Sequence, residues 1–137
     1  MINGLFNNTT IPILSEATSF AQARHNVLAG NLANLDVPGY QVRDLSTETF
    51  QERLSDVIRA RREGNQPLTN GAGTGDSRDL MQGVHDSMKA IVRHDDVNVG
   101  IEQQVLEISK NQFLHNMAIT VMGSQFRLLQ AIVSERL

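Results

Sequence analysis

Apolar residues in the last third of the chain recur at Ile101, Val105, Ile108, Ile119, Met122, Phe126, Leu129 and Val133. These are three- and four-residue steps, the spacing of an amphipathic helix. A second stripe, Leu106, Phe113, Met117, Val121, Leu128 and Ile132, lies on a neighbouring face. No proline interrupts 101–135, so the pattern predicts one helix of roughly 50 Å. Between Lys110 and Arg127 there is no Asp, Glu, Lys or Arg. The non-apolar positions are filled by Asn111, Gln112, Asn116, Thr120, Ser124 and Gln125, which are buried at far lower cost than charges. The segment therefore reads as surrounded by protein on most sides, yet too polar to span a bilayer. The plainer alternative is the central helix of an ordinary bundle.

Near the other end, Leu14, Ala17, Ala21, Leu28 and Leu35, with Phe20, Val27 and Leu32, predict a second amphipathic helix over 13–35, roughly 35 Å long. Pro12 is tolerated in its first turn. Five alanines (Ala17, Ala21, Ala23, Ala29, Ala33) allow close approach of a partner helix. The two helices are expected to pair coiled-coil fashion, parallel or antiparallel. Pro38 disfavours helical geometry at Val37, so the first helix should stop near Leu35. Asn31 and Asn34 are placed to bond backbone groups there. Residues 45–62 suggest a short charged helix with Phe50, Leu54, Val57 and Ile58 on one face and Ser46 or Thr47 as its cap. Residues 64–79, with Gly64, Pro67, Gly71, Gly73 and Gly75, read as a flexible loop. Leu80, Met81, Val84, Met88, Ile91 and Val92 have helical spacing, although 90–93 fits an extended run equally well. Asn98 is the expected cap of the last helix.

The fold class expected is mainly α, with long terminal helices and a partly irregular middle. Three regions follow: 1–40 with the first helix and its turn, a charged middle over 41–98, and 99–137 with the last helix. Of the 27 charged residues, 20 lie between Asp36 and Glu102. Both ends are nearly neutral, which suggests ends that pack together and then against other copies. Net charge is −3, giving no general attraction to nucleic acid or anionic lipid. The absence of cysteine excludes disulfides and thiolate metal sites. Residues 1–14 have neither a basic n-region nor a sustained apolar run, so no secretory signal peptide is expected. A protein of this kind leaving the cytoplasm needs a route that keeps its N-terminus intact.

The block Asn31-Leu32-Ala33-Asn34-Leu35-Asp36-Val37-Pro38-Gly39-Tyr40 resembles the N-x-A-N-x-x-T-P-G-Y signature of bacterial flagellar rod, hook and hook-associated axial proteins. Six of the seven specified positions match, and Val37 replaces the usual Thr, removing one hydroxyl. Placement agrees, since that family has the block at the end of an N-terminal helix and a long helix closing the chain. The short length is similar to that of the two smallest rod proteins. Residues 40–44 and 120–126 resemble the proximal one, and the Arg-x-Tyr-x-Ala-Asn-type segment typical of the other is absent. Gly100 stands where such chains often have Asp.

The resemblance implies a structural subunit of the basal-body rod that joins a torque-transmitting helical tube through its terminal helices. It implies export through the flagellar type III channel without a cleaved signal, and a place in the periplasmic rod. Implied partners are copies of itself, other rod proteins, the small adaptor protein beneath the rod and the export gate, with no nucleic acid and no membrane insertion. Interface residues expected on this basis are Leu28, Asn31, Leu32, Asn34, Pro38, Gly39, Tyr40, Phe113, Met117, Val121, Ser124 and Phe126. An isolated subunit is expected to have poorly ordered ends that gain helicity on assembly.

Other chemistry is weaker in the sequence. His85-Asp86 and His94-Asp95-Asp96 faintly resemble the metal-binding pairs of helical phosphohydrolases, but they adjoin the glycine-rich middle and read as solvated polar residues. His25 and His115 sit on the long helices, where packing or a hydrogen bond is the better reading. Arg59, Arg61 and Arg62 are offset by Glu52, Asp56 and Glu63. No phosphate-cradling or nucleophile-elbow motif occurs. Neither a cofactor, a metal nor an enzymatic activity is expected; the other of the two smallest rod proteins, a helical metal-dependent hydrolase and a cytoplasmic helical adaptor are the alternatives.

Overall fold

The computed structural model describes residues 9–63, 82–92 and 100–135. The expected loop at 64–79, Leu80 and Met81, the cap at Asn98 and the pair at His94 lie outside the described residues. Helix α1 runs Ile11–Ala33, with Pro12 in its first turn. A short strand β1, Arg43–Leu45, leads into α2, Thr47–Arg62. One helical turn over 82–86 precedes strand β2, Ala90–Val92, and α3 occupies Ile101–Glu135. The two long terminal helices pack together, with a less regular middle beside them.

Each boundary has a local cause. Helix α1 ends because Asn34 closes it twice: its backbone N–H meets the Gly30 and Asn31 carbonyls, and its Nδ2 donates to the Gly30 carbonyl at 2.8 Å. The turn is completed by Val37 N–H to Asn34 and Tyr40 N–H to Val37, with Gly39 at φ 79°. That left-handed conformation suits glycine. Ser46 caps α2 by accepting the Thr49 N–H at 3.1 Å. Glu48 in the first turn and Arg59, Arg61 and Arg62 in the last complement the dipole of α2.

The apolar core lies on one face of α1. Phe20, Leu45, Phe50, Val57 and Val84 form it, and the Phe20 and Phe50 rings stack with centroids 4.0 Å apart. Strands β1 and β2 pair antiparallel in the register Arg43–Val92, Asp44–Ile91, Leu45–Ala90. Thus the run near Ile91 is extended, although Val84 sits in a helical turn.

A different face of α1 meets α3, and there the sequence pattern misleads. Hydrogen bonds join Asn31 to Gln104, Arg24 to Glu107 and the Ala21 carbonyl to Asn111, so the helices run antiparallel. On α3 covered positions are Gln104, Ile108, Asn111, His115, Ala118, Met122, Gln125 and Leu129, in alternating steps of four and three. Of these, Ile108, Met122 and Leu129 belong to the apolar stripes. Ile101, Val105, Ile119, Phe126 and Val133 from the first stripe are exposed, as are Leu106, Phe113, Met117, Val121, Leu128 and Ile132 from the second. The seam within the chain mixes polar and apolar side chains, and most of the large apolar residues of α3 point outward.

Candidate functional site

The region built from the 31–40 block is organised by one amide. Asn31 has no exposed surface. Its Nδ2 donates to the Arg43 carbonyl at 2.6 Å, while its Oδ1 accepts the Arg43 N–H at 3.1 Å and the Tyr40 hydroxyl at 3.2 Å. The side chain therefore pairs with both backbone groups of Arg43, as a neighbouring strand would. This holds the start of β1 against the last turn of α1 and fixes the path of the intervening turn. A weaker contact at 3.5 Å reaches Gln104 Oε1 on α3.

Two helical turns earlier, a buried ion cluster joins three elements. Arg24 is 5% exposed and meets Asp44 through two bonds of 2.9 Å, the bidentate geometry that guanidinium and carboxylate favour. Its Nη2 also donates to Glu107 Oε2 at 2.8 Å. Asp44 Oδ1 accepts the Leu45 N–H at 2.8 Å as well. The hydrogen bond to Asp44 raises the Arg24 pKa above its ordinary value. Burial pushes Glu107 upward, yet hydrogen bonds from Lys110 and Arg24 outweigh it and leave Glu107 below the usual carboxylate range. Breaking such a cluster by removing one member costs much more than its net contribution suggests, because a buried charge loses its partner. One turn further along the seam, Asn111 Nδ2 donates to the Ala21 carbonyl at 2.7 Å. Three polar pins of this kind specify one register of α1 against α3.

Of the expected interface residues, Leu28 and Asn31 are buried inside the chain and Leu32 is half-buried. Asn34 is the helix terminator, and Tyr40 is half-buried against Asn31. Pro38 and Gly39 are exposed. Phe113 is the most exposed large apolar residue at 68%, and Met117, Val121 and Phe126 are also exposed. Ser124 is half-buried, its hydroxyl bonded to the Val121 carbonyl. The structure thus separates the set into a buried clamp at the end of α1 and an outward apolar face on α3.

Arg24, Asp44, Glu107, Gln104 and the seam role of Asn111 were absent from the sequence reading. A usable signal existed for Arg24: it is one of only two charged residues before Asp36, and a lone charge in a neutral helix points to a buried partner. The histidines are scattered. His85 Nδ1 lies 3.6 Å from Glu16 Oε2, and His25 Nδ1 is buried without a hydrogen-bond partner among the described residues. The described residues contain no group of three His, Cys, Asp or Glu side chains able to hold a metal ion. Nor is any described helix long and apolar enough to cross a membrane.

The family model described as "Flagella basal body rod protein" matches residues 11–41, which is α1 together with the turn that Asn31 clamps. The flagellar basal body rod protein FlgB of Salmonella typhimurium is 31% identical over 122 residues, 82% of this chain and 83% of the relative. FlgB of Bacillus subtilis is 24% identical over 132 residues, 91% of this chain and 93% of the relative. With that identity sustained over most of both chains, and the matched segment coinciding with the clamped turn, this chain belongs to the FlgB group of flagellar basal body rod proteins.

Proposed function

We propose that this chain is a non-enzymatic structural subunit of the proximal rod. It is incorporated into the helical axial tube through α1 and α3, and in that position transmits torque. The observation that supports this reading most is the outward face of α3. Phe113, Leu114, Met117 and Val121 are between 40% and 68% exposed on a segment that has no charged residue from Asn111 to Phe126. Contiguous apolar surface of this kind marks a protein contact, and a charge-free surround suits burial on several sides.

Helix α1 presents a complementary surface. Ser15, Ser19, Gln22, Asn26, Ala29 and Ala33 are exposed at alternating four- and three-residue steps and are all uncharged. Large side chains on α3 of one subunit fit over these smaller ones on the next. The two surfaces differ, so the contact is heterologous and does not close on itself, as a tube requires. The subunit passes through the flagellar export channel without cleavage and is added in the periplasm. Its neighbours are copies of itself and other rod proteins, with the adaptor beneath the rod and the export gate at the base. Because most of the large apolar residues of α3 are exposed in a single chain, the terminal helices gain much of their stability only when neighbours cover that face.

The test is the double variant Phe113→Glu/Met117→Glu, two exposed positions whose replacement leaves the inner seam intact. Cells producing it are expected to be non-motile, with the variant missing from purified basal bodies while its level in whole cells is unchanged. Motile cells with the variant present in their basal bodies would overturn the reading, as would absence of the unmodified chain from basal bodies.

A further inference from the structure

The middle region returns towards the terminal helices through residues 82–92, and its contact with α1 includes one incomplete polar pair. Val84 is fully buried in the core, and the helical turn around it is closed by the Ser87 N–H on the Gly83 and Val84 carbonyls. At the next residue, His85 Nδ1 stands 3.6 Å from Glu16 Oε2 of α1. That is beyond hydrogen-bond distance, and Glu16 Oε2 is buried without a hydrogen-bond partner among the described residues. The two sides of the pair differ in freedom, since the imidazole is 68% exposed and the Glu16 side chain 21%. A buried carboxylate oxygen without a donor is costly, and the exposed ring facing it is free to turn and supply one.

We propose that Glu16 and His85 form a proton-operated clasp that fastens the 82–92 segment to α1. A neutral imidazole carries one N–H. The imidazolium carries two together with a positive charge, and its hydrogen bond to a carboxylate is roughly twice as strong as a neutral one. Gaining a proton near neutrality, as imidazoles do, lets Nδ1 donate to Glu16 Oε2 and closes the gap. Other charged groups stand around the ring. Arg53 of α2 lies along Gly83, its Cδ 3.8 Å from where a Cβ would sit, and Asp86 is paired with Lys89 at 3.2 Å on the same segment as His85. Arginine, lysine, aspartate and glutamate ordinarily titrate outside about pH 6–8, so His85 is the switching member. The clasp is closed while His85 is protonated and Glu16 ionised, and it loosens as pH rises through the imidazole titration. Acid below about pH 4 opens it again by neutralising Glu16. Strand β2 follows directly on this segment and pairs with β1, so proton concentration sets how firmly the end of the middle region is held. This switch is independent of the assembly proposed above.

The full-length chain is tested by hydrogen–deuterium exchange at pH 6 and pH 8, corrected for the intrinsic pH dependence of exchange. The amides read out are those of Ser87 and Met88, which are bonded within this turn to Gly83, Val84 and His85. Their protection should be roughly twofold to fivefold greater at pH 6, the range of a solvent-exposed ion pair. Glu16→Gln and His85→Gln each remove the charge with little change of size, and each should abolish the difference; the two combined should do no more. His85→Lys, charged at both pH values, should keep these amides as protected at pH 8 as at pH 6, an outcome that a merely steric role for His85 does not give. Equal protection of the parent chain at the two pH values would overturn the clasp. So would a pH dependence that survives Glu16→Gln, because His25 and His115 are unchanged in that variant and the effect would then come from them.

Discussion

Replacing Asn31 by aspartate tests the clamp with almost no change of shape. Asn31 Nδ2 donates to the Arg43 carbonyl at 2.6 Å, and the substitution sets an oxygen in its place. The Arg43 carbonyl then loses its donor, which costs about 1–3 kcal/mol for a buried group. The side chain is fully buried, so the new carboxylate also loses hydration and its pKa is driven up. Together these give an expected loss of about 2–4 kcal/mol at neutral pH. The sign of the pH dependence follows. A carboxyl whose folded pKa exceeds its unfolded value supports the fold while protonated, donating to Arg43, and loses that support as pH rises through the folded pKa. The deficit should therefore shrink on acidification. Tyr40 is the only tyrosine, there is no tryptophan, and its hydroxyl meets Asn31. Urea titration followed by tyrosine fluorescence at pH 7 and pH 5 thus reports on this turn directly. A variant within about 0.5 kcal/mol of the parent, the range of ordinary surface substitutions, would refute the clamp, as would a deficit that grows on acidification.

Glu107 has a depressed pKa, so its contribution to the α1–α3 seam is present above its ordinary range near 4.5 and is lost as pH falls through the folded value. Glu107→Gln should flatten the urea midpoint between pH 3 and pH 6, measured by circular dichroism. Arg24→Met removes the guanidinium from buried Asp44 and should cost about 3–5 kcal/mol, read by the same titration; a double variant with Asp44→Asn should recover part of that loss. Gly39→Ala meets no atom within 4 Å, so its expected cost of roughly 1–2 kcal/mol comes from the positive φ alone and should appear as a lowered Tm in a thermal melt.

Local signals made the helices legible. The three- and four-residue spacing from Leu14 and from Ile101, Pro12 in a first turn and Ser46 as a cap all act within a few residues, and each places an element that the structure contains. The stop near Leu35 falls at Ala33, because the Asn34 amide ends the helix before Pro38 acts. Contacts between distant residues were not legible. Strand β1 meets β2 across the whole middle of the chain through three residues each, too few for an alternating pattern to register. Which face of α3 meets α1 was not assigned by the sequence, for another reason. Periodicity counts apolar residues and takes the apolar face for the covered one. Here Gln104 and Asn111 are covered through specific bonds while Phe113 is exposed, an arrangement that suits a chain whose apolar face is reserved for a neighbour. The family motif drew attention to Asn31 and Asn34 but said nothing of the Arg43 backbone that Asn31 holds.

The pairing of Arg43–Leu45 with Ala90–Val92 brings the beginning and the end of the middle region side by side. Everything threaded between them is a closed excursion, and lengthening such an excursion costs only logarithmically in its residue number. A foreign peptide spliced in after Glu63 would therefore leave the α1–α3 hairpin where it is. Added length after Glu63 is thus cheap, the two small strands acting as the buckle, while Phe50, Val57 and Val84 of the same region remain tied into the core.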